Sequence, residues 1–266
     1  MNENALSGVK AAIFDLDGTI YIGGELIGDA ANTLKYLRNK GIKVGFLTNN
    51  SSRTDDEYEN MLVKLGVYET GDFLCSSLSA TVEYLKETRK TAKIYALATN
   101  RVDEYLRTTG LNFLPENRSD EADTVLLAFD KELTYKKLEH ANRLLVGGAA
   151  YIATHPDKVC PAKGCSVPDV GSFIELFYAT SGRRPDEIIG KPYPVMAQIL
   201  CKRLGLKPKE MLMVGDRLST DIAFGLNSGL KTALVFSGET TEKLYAESGI
   251  KTDASIKDVN ELVNFF

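Results

Sequence analysis

The stretch Val9-Lys10-Ala11-Ala12-Ile13-Phe14-Asp15-Leu16-Asp17-Gly18-Thr19 carries both the fold and the chemistry of this chain. Its first six residues form an apolar run that reads as a buried strand. Directly after it, two carboxylates two residues apart meet a glycine turn. The chain reverses there, so both carboxylates can face one site at the strand's end. That arrangement suits phosphoryl transfer: one carboxylate attacks phosphorus, and the other moves protons. Gly18 permits the tight turn and frees the Asp17 carbonyl to face a metal ion. Taken alone, the motif reads equally as an ordinary acidic turn after a strand.

Outward from this stretch, strands and helices alternate. Ile42–Leu47 is a second buried-strand candidate. Before it, Ala30, Thr33, Leu34 and Leu37 recur at helical spacing, and Gly41 sits where a helix should stop. After it, Thr54-Asp55-Asp56-Glu57 reads as a capping box, followed by Tyr58, Met61, Leu62 and Leu65 and closed by Gly66. Toward the C-terminus the reading gives a helix over Pro194–Leu204, a strand over Glu210–Val214, a helix over Asp221–Leu226, a strand over Leu230–Phe236 and a final helix. Between them lie strand candidates at Ala92–Leu97, Asp123–Ala128 and Ala150–Ala153. Short connections in a βαβα order predict an α/β fold with a parallel sheet covered on both faces.

The chain has 266 residues, of which 44% are hydrophobic and 26% charged, as expected of a folded globular protein. A net charge of −4 and the absence of a Lys/Arg block argue against a nucleic-acid partner. Four cysteines (Cys75, Cys160, Cys165, Cys201) show no C-x-x-C pair, and two histidines (His140, His155) are too few for a His-rich metal site. Cys160-Pro-Ala-Lys-Gly-Cys165 reads as two unrelated thiols on a loop. The start Met1-Asn2-Glu3-Asn4 lacks a signal-peptide pattern, and no apolar run reaches membrane length. The expectation is a cytoplasmic protein with reduced thiols and no membrane partner.

Three further elements fall at predicted strand ends. Thr48-Asn49-Asn50-Ser51 offers a hydroxyl, amides and backbone N–H groups to phosphate oxygens, or is a polar turn into the next helix. Gly190-Lys191-Pro192 follows Ile188-Ile189, and a lysine there can neutralise both a nucleophile and a phosphate. Val214-Gly215-Asp216-Arg217-Leu218-Ser219-Thr220-Asp221 brings two more carboxylates to the same edge, hard oxygen donors suited to Mg2+. The ordinary reading of that last element is a helix with acids at its N-terminus. All four elements in one order, each at a strand end, make coincidence a poor explanation.

These residues resemble the haloacid dehalogenase (HAD) superfamily of aspartyl-phosphate phosphatases, and within it the NagD-like and p-nitrophenyl-phosphatase-like subfamily. The likeness rests on Phe14 to Tyr21, Thr48 to Ser52, Gly190-Lys191-Pro192 and Gly215 to Ile222. Ala153-Thr154-His155-Pro156-Asp157 and Pro168 to Gly171 add to it. The resemblance implies a Rossmann-like catalytic core from residues 1–78 and 187–266, with an α/β cap inserted over 79–186. It also implies roles: Asp15 as nucleophile, Asp17 as acid/base, and Thr48, Lys191 and the Asn49 backbone N–H as phosphate holders, with Asn50 lining the site. Mg2+ would be held by Asp15, the Asp17 carbonyl and Asp216, with Asp221 in support. The presence of Asp17 argues against dehalogenase chemistry.

One departure is His155, where the subfamily usually has asparagine or aspartate. It opens the cap segment Thr154–Gly164, and a substrate contact there stands beside a structural role. Lys158 and Lys163 would add positive charge for an anionic substrate, or are plain surface lysines. The expected activity is Mg2+-dependent hydrolysis of small phosphorylated metabolites: a nucleoside monophosphate, sugar phosphate, phosphoglycolate, pyridoxal phosphate or p-nitrophenyl phosphate. Two alternatives remain open at this stage. A phosphotransferase or mutase would pass the same aspartyl-phosphate to a hydroxyl, and a binding regulator would have kept the fold without turnover. Pairing of two copies through the cap is a further implication of the resemblance.

Overall fold

The computed structural model describes residues 5–162 and 164–266, and its chain divides into two compact units. The first takes the chain up to Thr48, then Asp55–Cys75 and Lys191–Phe266. The second takes Asn49–Thr54 and Ser76–Gly190.

The first unit is built on a six-stranded sheet in the order Ala254–Ile256, Lys231–Val235, Met211–Gly215, Ala11–Phe14, Lys43–Thr48, Phe73–Ser76. Ala11–Phe14 pairs in parallel with Met211–Val214 on one side and with Lys43–Phe46 on the other. It reads as an uninterrupted apolar run because both faces are covered; all four of its residues are buried. Phe14 and Phe46 pack into a core with Leu34, Leu37, Leu62 and Val214. Burying each such aromatic side chain contributes about 1.5–3 kcal/mol. The predicted helices appear as Ala30–Asn39, Asp55–Lys64 and Val195–Leu204. Because successive crossovers leave Ala11–Phe14 in opposite directions, its C-terminal end is a topological switch point, where open α/β sheets hold ligands.

Two expectations of the C-terminal part change. The helix expected over Asp221–Leu226 is instead a π-helical turn, Leu218–Ile222, running into the α-helix Ala223–Ser228. The final helix is a 3₁₀ helix, Val259–Phe265, preceded by the unforeseen helix Glu242–Ser248 and edge strand Ala254–Ile256.

The second unit has its own five-stranded parallel sheet, ordered Glu187–Ile188, Ala150–Ala153, Thr124–Leu127, Lys93–Leu97, Asn112–Phe113. Its core gathers Val125, Leu127, Phe129, Tyr151, Ile174 and Phe177. Val159–Cys160 and Val167–Pro168 form a separate antiparallel pair, and Cys160 and Cys165 are not joined in a disulfide. Among the described residues, no helix is long and apolar enough to cross a membrane.

Candidate active site

Three strand ends of the first unit converge. Asp15 follows Ala11–Phe14, and its backbone N–H donates to Val214 O at 2.9 Å, extending the ladder by one residue. Leu16 is buried in the core. Beyond the strand the chain bends at Leu16 and turns at Gly18, with Asp15 and Asp17 on either side of that buried leucine. Asp15 is half-buried and Asp17 exposed. The Gly18 N–H donates to Tyr21 O at 2.8 Å, and the Tyr21 hydroxyl reaches Asp17 Oδ2 at 3.3 Å, so the turn is braced from within.

Lys191 is 2% exposed. Its Nζ lies 2.5 Å from Asp15 Oδ1, 2.7 Å from Asp221 Oδ1 and 3.4 Å from Leu47 O, beside Thr48. Burial disfavours its charge, but the Asp15 and Asp221 carboxylates outweigh that and raise its pKa, so the ammonium stays protonated. Asp221 Oδ2 accepts the Arg217 backbone N–H at 3.1 Å. Both oxygens of Asp221 are thus engaged, and this is what the wide π-helical turn provides: it swings Asp221 inward to Lys191.

Asp216 follows Met211–Gly215 and is 2% exposed. Its Oδ2 accepts the Glu239 backbone N–H at 2.7 Å, while its Oδ1 is buried with no hydrogen-bond partner. Asp15, Asp216 and Asp221 each place one carboxylate oxygen within 4.8 Å of the others. Burial, then the neighbouring Asp221 carboxylate, pushes Asp216 up to about 6. Burial also raises Asp15; Asp221 and Asp216 add to that, against the pull of Lys191. One half-buried and two buried acids around one lysine are an under-neutralised cluster, and hard oxygen donors of this kind are what a divalent cation takes. Arg217 adds some relief. Its guanidinium Nε meets Glu239 at 3.1 Å, and the surrounding carboxylates raise its pKa despite burial.

Six of the residues singled out from the sequence therefore sit in the first unit: Asp15, Asp17, Thr48, Lys191, Asp216 and Asp221. The Asp17 side chain stands outside the three-carboxylate cluster. Asn49, Asn50 and His155 belong to the second unit. There the Asn49 side-chain amide donates to Asp157 Oδ2 at 3.0 Å, and the Asn49 backbone carbonyl accepts the Ser77 hydroxyl. Asn50 Oδ1 accepts both the N–H and the hydroxyl of Ser52, at 3.0 and 2.8 Å. His155 has no exposed surface; Nδ1 lies 3.5 Å from Asp157 and Nε2 3.5 Å from Asp169. The imidazole is therefore enclosed within the second unit and offers no exposed surface to a substrate. Lys158 is exposed, and Lys163 lies outside the described residues.

Sequence reasoning missed the turn Ser237-Gly238-Glu239, whose atoms touch Asp216 and Gly18. A signal was present: polar residues around a glycine, directly after the predicted strand Leu230–Phe236, repeat the logic applied to Asp15.

Two family models match the chain: haloacid dehalogenase-like hydrolase over residues 12–112 and HAD-hydrolase-like over residues 188–262. The chain is 30% identical over 256 residues to the 5'-nucleotidase YutF of Bacillus subtilis, covering 96% of this chain and 98% of that protein. It is 32% identical to an acid sugar phosphatase of Staphylococcus haemolyticus, over 96% of this chain and 95% of the relative. Among solved structures, the 4-nitrophenylphosphatase from Thermotoga maritima superimposes with a TM-score of 0.92 at 36% identity, covering 97% of this chain and 98% of that one. The p-nitrophenyl phosphatase from Archaeoglobus fulgidus gives 0.90 at 29% identity, over 97% and 99% of the two chains. With carboxylates, lysine and sheet edge arranged as described, the chain belongs to the haloacid dehalogenase-like hydrolases, in their NagD-like branch of phosphatases acting on phosphoric monoesters.

Proposed function

We propose that this enzyme hydrolyses small phosphate monoesters in two displacements on Asp15, with Mg2+ as cofactor. The observation that carries the reading is the Lys191 ammonium bridging Asp15 and Asp221 beside a carboxylate oxygen of Asp216 that has no partner. Asp15 attacks phosphorus, a P–O bond forms to its carboxylate, and the ester P–O bond breaks. Asp17, exposed at the mouth of the turn, gives its proton to the departing alkoxide. The Asp17 carboxylate then takes a proton from water, whose oxygen attacks the same phosphorus, releasing inorganic phosphate and restoring Asp15. Lys191 and the Thr48 hydroxyl hold phosphate oxygens, and Lys191 keeps Asp15 oriented throughout.

The donor set fits Mg2+: two buried carboxylates and a half-buried one, one bare oxygen and a buried lysine to offset them. Asp15, Asp216 and the Asp17 carbonyl would hold the ion, with Asp221 supporting it through Lys191 and the Arg217 N–H. When bound, it would supply positive charge to offset the carboxylates and the phosphate oxygens. Residues 79–186, which lie in the second unit, are proposed as the cap that reads the leaving group. Relatives named for nucleotides, sugar phosphates and 4-nitrophenyl phosphate support these three as the classes to try. The test is phosphate release from a 5'-nucleotide, a sugar phosphate and p-nitrophenyl phosphate, with Mg2+ and with EDTA. Release that depends on Mg2+ is expected; release unchanged by EDTA, or none from any ester, would overturn the reading.

A further inference from the structure

We infer that the turn Ser237-Gly238-Glu239-Thr240 is the positioning device for the Asp216 carboxylate, and that the Ser237 hydroxyl is its key tie. The inference rests on Asp216 being a cation ligand, as proposed above.

Asp216 is gripped from two sides by glycine backbone. A Cβ built on Gly18 would lie 2.6 Å from Asp216 Oδ2 and 2.8 Å from its Cγ. A Cβ on Gly238 would lie 2.0 Å from Oδ2 and 2.5 Å from Cγ. No side chain fits on either wall, so both positions need glycine for close approach, and Gly18 also has φ +85°. The two walls are joined directly, because the Ser237 hydroxyl donates to Gly18 O at 2.7 Å. Within this slot the Glu239 N–H holds Oδ2 at 2.7 Å, and the Thr240 N–H holds the Asp216 carbonyl at 3.3 Å. The Glu239 carboxylate meets Arg217 Nε at 3.1 Å, fixing the residue next in the chain.

The result is asymmetric. One carboxylate oxygen is spent on the turn, and Oδ1 is left buried without a partner. A buried acceptor of that kind is costly unless a ligand completes it. Partners that orient a ligating carboxylate tune metal affinity, by about 10–100-fold when one is removed. Ser237 does so from a distance. It touches no reacting atom, but it holds Gly18 against Asp216 and fixes the backbone carrying the Asp17 carbonyl.

The test is Mn2+ binding to the full-length protein without substrate, followed by the electron paramagnetic resonance signal of free Mn2+. S237A should raise the Mn2+ dissociation constant about tenfold. Its melting temperature in EDTA should stay that of the wild type, since only one hydrogen bond of a partly exposed hydroxyl is lost. S237T, which keeps the hydroxyl, should restore binding. G238A should weaken binding further by displacing the carboxylate, and if it fails to fold, S237A and S237T carry the test alone. Wild-type affinity in S237A would overturn this inference and leave the proposed function standing. No Mn2+ uptake by the wild type would overturn both.

Discussion

Lys191 Nζ sits 2.5 Å from Asp15 Oδ1, buried, at the topological switch point of the first unit's sheet. The contact joins residues 176 positions apart in the chain. It makes the lysine a structural counter-charge to Asp15 and Asp221 and, under the proposed function, a means of aiming the nucleophile.

Removing that charge should be felt twice. Lys191→Met leaves Asp15 and Asp221 without their shared cation. Breaking a buried pair by deleting one partner costs about 3–5 kcal/mol. Urea unfolding in EDTA should show a loss of that order, and kcat should fall about 10²–10³-fold from lost charge stabilisation. Lys191→Arg should not restore kcat, because the planar guanidinium does not reproduce a point charge between two carboxylates.

Asp216 sets a pH dependence for the metal-free protein. Its folded pKa of about 6 lies above the ordinary value of 3.8. Folding therefore favours the protonated form, and the stability that Asp216 contributes is full below about pH 3.8 and is lost as pH rises through about 6. In EDTA, the urea midpoint should fall between pH 5 and pH 7, and Asp216→Asn should flatten that fall. Cation binding needs the carboxylate deprotonated, so Mg2+ affinity should move the opposite way, weakening below about pH 6 and releasing protons as it binds. Calorimetric titration of Mg2+ at pH 5.5 and 7.5 would check this; equal affinity at both would contradict it.

The strands that carry these residues were readable because all their residues but Lys43 are buried. Ala11–Phe14, Lys43–Thr48 and Met211–Gly215 are near-continuous apolar runs bounded by polar turns. Their order along the chain told which ends would meet. Other elements had no periodic signal: Ala254–Ile256 is three residues with an exposed Ser255, and the hairpin strands Tyr21–Ile22 and Glu25–Leu26 have two residues each. The π-helical turn at Leu218–Ile222 was hidden for another reason. Its residues suit an ordinary helix, and the contacts of Asp221 with Lys191 and the Arg217 N–H that accompany the wide turn are not written in the local pattern. The grip of Ser237 and Gly238 on Asp216, and the enclosure of His155 by Asp157 and Asp169, are pairings made by the fold that local pattern does not encode.

His155 should behave as a scaffold residue of the second unit. His155→Ala would leave two carboxylates facing a cavity where an imidazole was, at a cost of about 1–3 kcal/mol. Thermal unfolding should shift down accordingly. Limited proteolysis should locate the loosened region within Ser76–Gly190 rather than in the first unit.

Asp17 should separate from Asp15 in its kinetics. Asp17→Asn removes the proton donor and base but leaves the nucleophile, so kcat should drop about 10²–10⁴-fold. The drop should be smaller for p-nitrophenyl phosphate, whose leaving group departs without a proton, than for an alkyl phosphate. An equal loss on both esters would argue against Asp17 as the proton donor.

The nucleophile is the central assignment, and one comparison tests it most directly: Mg2+-dependent hydrolysis of p-nitrophenyl phosphate by the wild type beside Asp15→Asn, each checked for folding by circular dichroism. Mg2+-dependent turnover by the wild type and none by a fully folded Asp15→Asn is the predicted result. Turnover by that variant at the wild-type rate would contradict the assignment of Asp15.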